Sequence, residues 1–149
     1  LLIAVIYLYF NVFKNNKNKI IFKMRQIKFR GKSIYTPHDW KYGSLLVIGG
    51  KKYIIPCTDR MQLLQHRVIP NTVCEFSGST DKNGVEIYEG DILKTNEADW
   101  VGKVEFKHSA YIISDDNGGY STYPDFSKCE VIGSIHDNHE LLNNKPNAK

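Results

Sequence analysis

The densest group of residues able to do chemistry is acidic: Asp81, Glu86, Glu89 and Asp91 fall within eleven positions. Carboxylates at this spacing offer the hard oxygens that a divalent cation takes, and Asp81-Lys82-Asn83-Gly84 begins like a calcium loop. The likeness then fails. The sixth loop position, which needs glycine, is Glu86, and the twelfth, which supplies a bidentate carboxylate, is Ile92. Asp and Asn in turns accept local backbone N–H groups, and glycine takes positive φ there. The stretch therefore reads as two turns, one at Asn83-Gly84 and one at Gly90-Asp91, with no metal.

A softer site would draw on Cys57, Cys74, Cys129, His136 and His139. No two of the cysteines have close ligand spacing, and the two histidines are three apart at a helix start. Buried apolar thiols are the simpler reading, and no cofactor is expected. Three scattered cysteines also argue against a secreted disulfide framework and fit a reducing cytoplasm. Nucleophilic catalysis needs Cys or Ser beside a histidine and an orienting carboxylate. His38, His66, His108, His136 and His139 are bases in principle, but no sequence context marks a nucleophile. Gly49-Gly50 and Gly118-Gly119 are isolated pairs of the kind hairpins need, not a phosphate-cradling loop. No enzyme is indicated.

Aromatic residues leave more open. Tyr35, Trp40, Tyr42, Tyr53, Tyr88, Trp100, Tyr111, Tyr120 and Tyr123 could pack across strands, or could stack bases or bind protein where exposed. Trp100 lies in a polar stretch (EADWVG) and is expected to be partly exposed. With Tyr120 and Tyr123 it is the candidate contact surface.

Charge gives little support to nucleic acid. The chain carries a formal +4, but Lys14, Lys17, Lys19 and Lys23 are the only ionised side chains in residues 1–23. Removing these four from the 20 basic residues leaves 16, against 16 acidic ones. Residues 24–149 are neutral, which does not favour phosphate binding, although a local basic face remains open.

The elements that must position these groups are mostly strands. The 149 residues hold one domain, or two very small ones, and 42% hydrophobic with 12% aromatic content is globular. Residues 1–13 are nearly all apolar but too few to span a bilayer as a helix. The preferred reading of residues 1–23 is upstream sequence ahead of a start at Met24. A truncated membrane anchor is second and a genuine N-terminal element third. From there the period is two: Ile27 and Phe29 alternate with Lys28 and Arg30, as in a half-buried strand.

Two β-rich runs flank Gly49-Gly50 and read as a hairpin. Residues 58–65 (TDRMQLLQ) read as a short helix. Turns at Asn83-Gly84, at Gly90-Asp91 and at Gly118-Gly119 separate five or so short strands, a density that predicts a small barrel or strongly curled sheet. Asp137 with Glu140 fits a capping box opening a last helical turn, and residues 143–149 form a flexible tail. The fold expected is mostly β (a β-rich α+β chain). Residues 24–76 make the N-terminal hairpin and helix part, and residues 77–142 the barrel part.

Three segments carry a resemblance. The first is Met24-Arg25-Gln26-Ile27-Lys28-Phe29-Arg30-Gly31. The second runs from residues 68–73 (VIPNTV) into residues 81–92 (DKNGVEIYEGDI), and the third is residues 130–142 (EVIGSIHDNHELL). In this order they are similar to the YopX family of phage and prophage proteins. At residues 74–79 (CEFSGS) members read closer to Gly-Gln-Tyr-Thr-Gly-Leu, and only Gly78 is kept. The resemblance implies a phage-encoded, mostly-β protein with no established biochemical activity, and it brings no catalytic residues. The function expected is a non-enzymatic accessory protein of the bacterial cytoplasm, a regulatory module or one that binds a host or phage protein. Nucleic-acid binding is second and an uncharacterised enzyme third; self-association is possible, and no membrane partner is expected.

Overall fold

The computed structural model describes residues 25–56, 63–96, 100–121 and 124–143. Among these residues, ten antiparallel strands form two five-stranded sheets. The first holds β1 (Phe29–Lys32), β2 (Trp40–Ile48), β3 (Lys51–Ile55), β4 (Cys74–Thr80) and β5 (Glu86–Tyr88), in the order β3-β2-β1-β4-β5. The second holds β6 (Asp91–Thr95), β7 (Val101–Lys107), β8 (Ala110–Ser114), β9 (Tyr120–Ser121) and β10 (Cys129–Ser134), in the order β10-β6-β7-β8-β9.

The hairpin at Gly49-Gly50 forms between β2 and β3, with Ile48 opposite Lys51 and both glycines at positive φ. This is the two-residue turn whose twist matches the flanking strands. Asn83-Gly84 lies in the longer connection from β4 to β5, where Asp81 caps the loop. Gly118 and Gly119 close the connection from β8 to β9, and the Asp115 carboxylate accepts the N–H groups of Asn117 and Gly119 at 2.9 and 2.7 Å.

Several expectations are corrected. The second sheet does not close into a barrel. β9 is only two residues long, and the outer edge of β10 is taken by the Asp81 loop: Lys82 N–H donates to Cys129 O and Val131 N–H to Asp81 Oδ2, each at 3.0 Å. All helical turns among the described residues are 3-10, three to five residues long. Of the helix expected over residues 58–65, a turn at Leu63–His66 is present and residues 58–62 lie outside the described residues. Asp137 does not cap the turn at His139–Asn143, because its carboxylate is committed to Lys32 and Trp40. β4 runs from Cys74 to Thr80, and the chain passes from the first sheet to the second at Glu89-Gly90.

The crossing is tight. Glu89 N–H still donates to Glu75 O in the first sheet, while Gly90 N–H donates to Val104 O and Gly90 O accepts Ile135 N–H. Gly90 has φ +78°, and a Cβ there would lie 3.3 Å from Ile135. Only glycine meets both conditions without strain. Leu93, Val104, Ile113 and Cys129 of the second sheet form one core cluster with Ile87 of β5, and Trp100 and Tyr111 pack on it. A second cluster, Cys74, Phe76 and Tyr88 with Trp40 packed on it, is built from strands of the first sheet. Among the described residues no helix is long and apolar enough to cross a membrane; residues 1–23 and most of the 143–149 tail fall outside them.

Candidate functional site

The alternation in the first strand is inverted relative to its hydrophobicity. Ile27 is 68% exposed, whereas Arg30 and Lys32 are buried at 7% and 8%. Each basic side chain of this segment meets an acid from a different element. Arg25 pairs with Glu75 on β4, Lys28 with Glu86 on β5, Arg30 with Asp91 at the start of β6, and Lys32 with Asp137 after β10. Each cation also lies over an aromatic face: Arg25 over Tyr111, Lys28 over Phe76, Arg30 over both Trp40 and Tyr88, and Lys32 over Trp40. The centroid distances shrink to 4.3 Å at Arg30–Trp40, where desolvation makes such contacts strongest. Arg30 and Lys32 can point inward because each charge is neutralised there, as buried charge requires.

Asp91 anchors this ladder. Its Oδ1 accepts from Arg30 and its Oδ2 accepts the Tyr88 N–H at 2.7 Å. Burial pushes its carboxyl above the ordinary value, against the pull of Arg30. At the far end, Asp137 accepts from Lys32 and, at 3.1 Å, from the Trp40 indole. Burial would raise its carboxyl, but these two donors hold it below the usual carboxylate range. Asp91 therefore does more than turn the chain; it joins the two sheets.

Beside the ladder, Cys74 Sγ lies 3.6 Å from His136 Nε2, at the wall of a cleft of about 290 Å³ that Glu89, Lys103 and Glu105 also line. The contact resembles a nucleophile and its base, but the protonation states oppose that role. Burial pushes the Cys74 thiol up to about 11, and it donates to Thr72 O at 3.3 Å. Burial, with Arg30 and Lys32 nearby, holds His136 below its ordinary value. A protonated thiol is a poor nucleophile and a poor metal ligand.

The other candidates separate in space. Asp81 is buried and accepts backbone N–H groups from Asn83, Val85 and Val131; these outweigh its burial and hold its carboxyl below the usual range. Glu86 is held by Lys28 and by the Tyr88 hydroxyl at 2.8 Å. Cys129 on β10 and Cys74 on β4 lie in separate core clusters, and Cys57 lies outside the described residues. Among the described residues no three of His, Cys, Asp and Glu are placed to hold a metal ion.

Trp100 is half-buried. Its indole N–H donates to Asp115 at 3.0 Å, and with Ile113 and Pro124 it walls a cleft of about 290 Å³ rimmed by Asp125 and Lys128. Tyr123 and the side chain of Tyr120 lie outside the described residues. What sequence reasoning missed is the ladder itself. Its one local signal is the period-two recurrence of Lys28, Arg30 and Lys32, which reads equally well as a solvated face.

Two open antiparallel sheets joined by an inward-facing basic strand define a small β protein whose interior charges hold the fold. The chain belongs to the YopX protein family, whose model matches residues 10–143. That match begins fourteen residues ahead of Met24. No curated protein matches the chain.

Proposed function

We propose that the chain is a non-enzymatic accessory protein, encoded by a phage or prophage, that acts in the bacterial cytoplasm by binding a protein partner. The observation that carries this reading is the Trp100 cleft. Its indole is fixed by Asp115; Trp100, Ile113 and Pro124 give it apolar wall beside the polar Thr95, Asn96 and Ser121; and its rim is a charged pair, the make-up of a pocket for one anchoring side chain. The groups that would serve an enzyme support this reading by their state: the Cys74 thiol stays protonated. The cations that would serve nucleic acid support it too, because four of them are paired within the fold.

The test is capture of the tagged full-length chain from phage-infected bacteria, with bound protein and nucleic acid identified together. Trp100→Ala should remove the captured protein, a loss of roughly thirtyfold in affinity at a hot-spot aromatic. Lys128→Glu on the exposed rim, which leaves the core untouched, should weaken it as well. An unchanged protein set in both variants refutes the reading. Captured nucleic acid that dissociates steeply with salt would establish the runner-up instead.

A further inference from the structure

Two connections of the fold are built on one plan. Residues 81–85 (DKNGV) and 115–119 (DDNGG) each open on an aspartate, and they carry the two Asn-Gly steps of the chain. Asp81 Oδ1 accepts the N–H groups of Asn83 and Val85 at 2.7 and 2.9 Å; Asp115 Oδ1 accepts those of Asn117 and Gly119 at 2.9 and 2.7 Å. Each aspartate N–H closes its loop, Asp81 onto Val85 O at 2.8 Å and Asp115 onto Gly119 O at 2.9 Å. The second carboxylate oxygen reaches out of the loop, Asp81 to the Val131 N–H and Asp115 to the Trp100 indole, each at 3.0 Å. Gly84 and Gly118 turn the chain at φ +81° and +88°.

The two loops differ in how they hold the asparagine. In an Asn-Gly step the glycine nitrogen is unshielded by a side chain and lies beside the asparagine carboxamide, so attack on it is intramolecular and loses little entropy. It needs a free glycine N–H and a mobile carboxamide. At Asn83 both are restrained. Gly84 N–H donates to Asp81 O at 3.0 Å, and Lys82 N–H pins the loop to β10. The Asn83 carboxamide also faces the Asp81 carboxylate and helps to hold its carboxyl below the usual range. At Asn117, neither the carboxamide nor Gly118 N–H has a hydrogen-bond partner among the described residues, and residues 116–119 are all exposed.

We propose that Asn117 is a self-modifying site, converted through a cyclic imide to aspartate or isoaspartate, while the fold protects Asn83. A base in solution takes the Gly118 amide proton, and the nitrogen forms a bond to Cγ of Asn117. The Cγ–Nδ2 bond breaks, and the departing nitrogen takes a proton from solvent and leaves as ammonia. Water then opens the ring. Cleavage at Cγ gives aspartate, and cleavage at the original peptide bond gives isoaspartate. One water is consumed, one ammonia is released, and nothing is oxidised or reduced. Isoaspartate adds a main-chain atom between the two N–H groups that Asp115 Oδ1 holds, which loosens the carboxylate that fixes the Trp100 indole. This holds whatever the Trp100 cleft binds.

The test is ageing of the full-length chain at neutral pH. Peptide mapping by mass spectrometry reads the gain in mass from amide to acid, and labelling by an isoaspartate methyltransferase reads the isomer. Conversion at Asn117 should outpace Asn83 by roughly tenfold or more, because the Asn83 loop has to break hydrogen bonds and open first. In guanidinium chloride the two rates should converge, which assigns the difference to the fold rather than to flanking residues. Asn117→Gln, at an exposed position, should remove the isoaspartate signal. The Trp100 indole proton should exchange faster in the aged chain than in the fresh chain or in aged Asn117→Gln. Equal rates at the two sites in the folded chain, or a difference that persists in denaturant, would overturn the proposal. Unchanged indole exchange in the converted chain would overturn its reach to Trp100.

Discussion

Replacing Arg30 by alanine leaves the Asp91 carboxylate, whose side chain is 1% exposed, buried beside an empty guanidinium site. Breaking a buried pair by removing one partner costs about 3–5 kcal/mol, because the remaining charge stays desolvated. Two aromatic contacts, to Trp40 and Tyr88, are lost with it. The same replacement at Arg25 breaks a pair whose side chains are 53% and 34% exposed, worth less than about 1 kcal/mol. Two arginines of one ladder should thus differ by about 3 kcal/mol, a large share of a domain stability of roughly 5–15 kcal/mol. At roughly 4 °C per kcal/mol the melting temperatures should lie about 12 °C apart. Urea unfolding followed by tryptophan fluorescence suits the measurement, since Trp40 stacks on Arg30. A cycle with Arg30→Met and Asp91→Leu should show the double variant costing less than the sum of the single ones. Equal losses at Arg25 and Arg30, within about 0.5 kcal/mol, would refute the graded burial on which the ladder rests.

Asp81→Ala should destabilise by about 2–3 kcal/mol in urea unfolding, since Asn83, Val85 and Val131 lose their acceptor. The Asp81 carboxyl is lower in the folded state than in the unfolded, so its contribution is present above about pH 4 and fades as pH falls through the folded value; in the variant that acid-side loss should shrink. His136 has the complementary sign. Its folded value is depressed, so the unfolded chain takes up a proton first and stability should fall as pH drops below about 6.5; His136→Gln should flatten melting curves across that window. With Cys74 raised from 9.0 to about 11, its thiolate is about a hundredfold scarcer at neutral pH, and mass spectrometry should show Cys74 alkylated by iodoacetamide only after denaturation. Gly90→Ala should cost about 1–2 kcal/mol, read as a shift in urea midpoint, because φ +78° and Ile135 both oppose a Cβ.

The features legible in the sequence are those set by neighbours. Gly49-Gly50 specifies its turn within four residues, and the strands around Val104 and Ile113 are specified by short apolar-rich runs between turn residues. The ladder was not legible because its partners lie 50, 58, 61 and 105 positions away for Arg25, Lys28, Arg30 and Lys32. A strand alternating lysine or arginine with isoleucine or phenylalanine is solvated on its basic side unless acids arrive from elsewhere, and nothing near Arg30 announces Asp91. The same distance misled the reading of Asp137, a good local cap that Lys32 and Trp40 claim instead. Trp100 was placed by its polar neighbours as partly exposed, and it is half-buried. Its bond to Asp115 depends on the β8–β9 loop folding back, which its own surroundings do not encode.

The spread of the ladder also bears on how the chain reaches its fold. The basic strand leaves the ribosome while Asp91 and Asp137 are still unmade, so its most buried cations wait in water until those acids follow. Pairings of such long sequence separation carry a high loop-closure entropy and belong to slow-folding topologies. The first sheet cannot bury Arg30 and Lys32 until the second has emerged. Assembly is therefore expected to be concerted, with strand β1 closing the structure even though it is translated before its acidic partners.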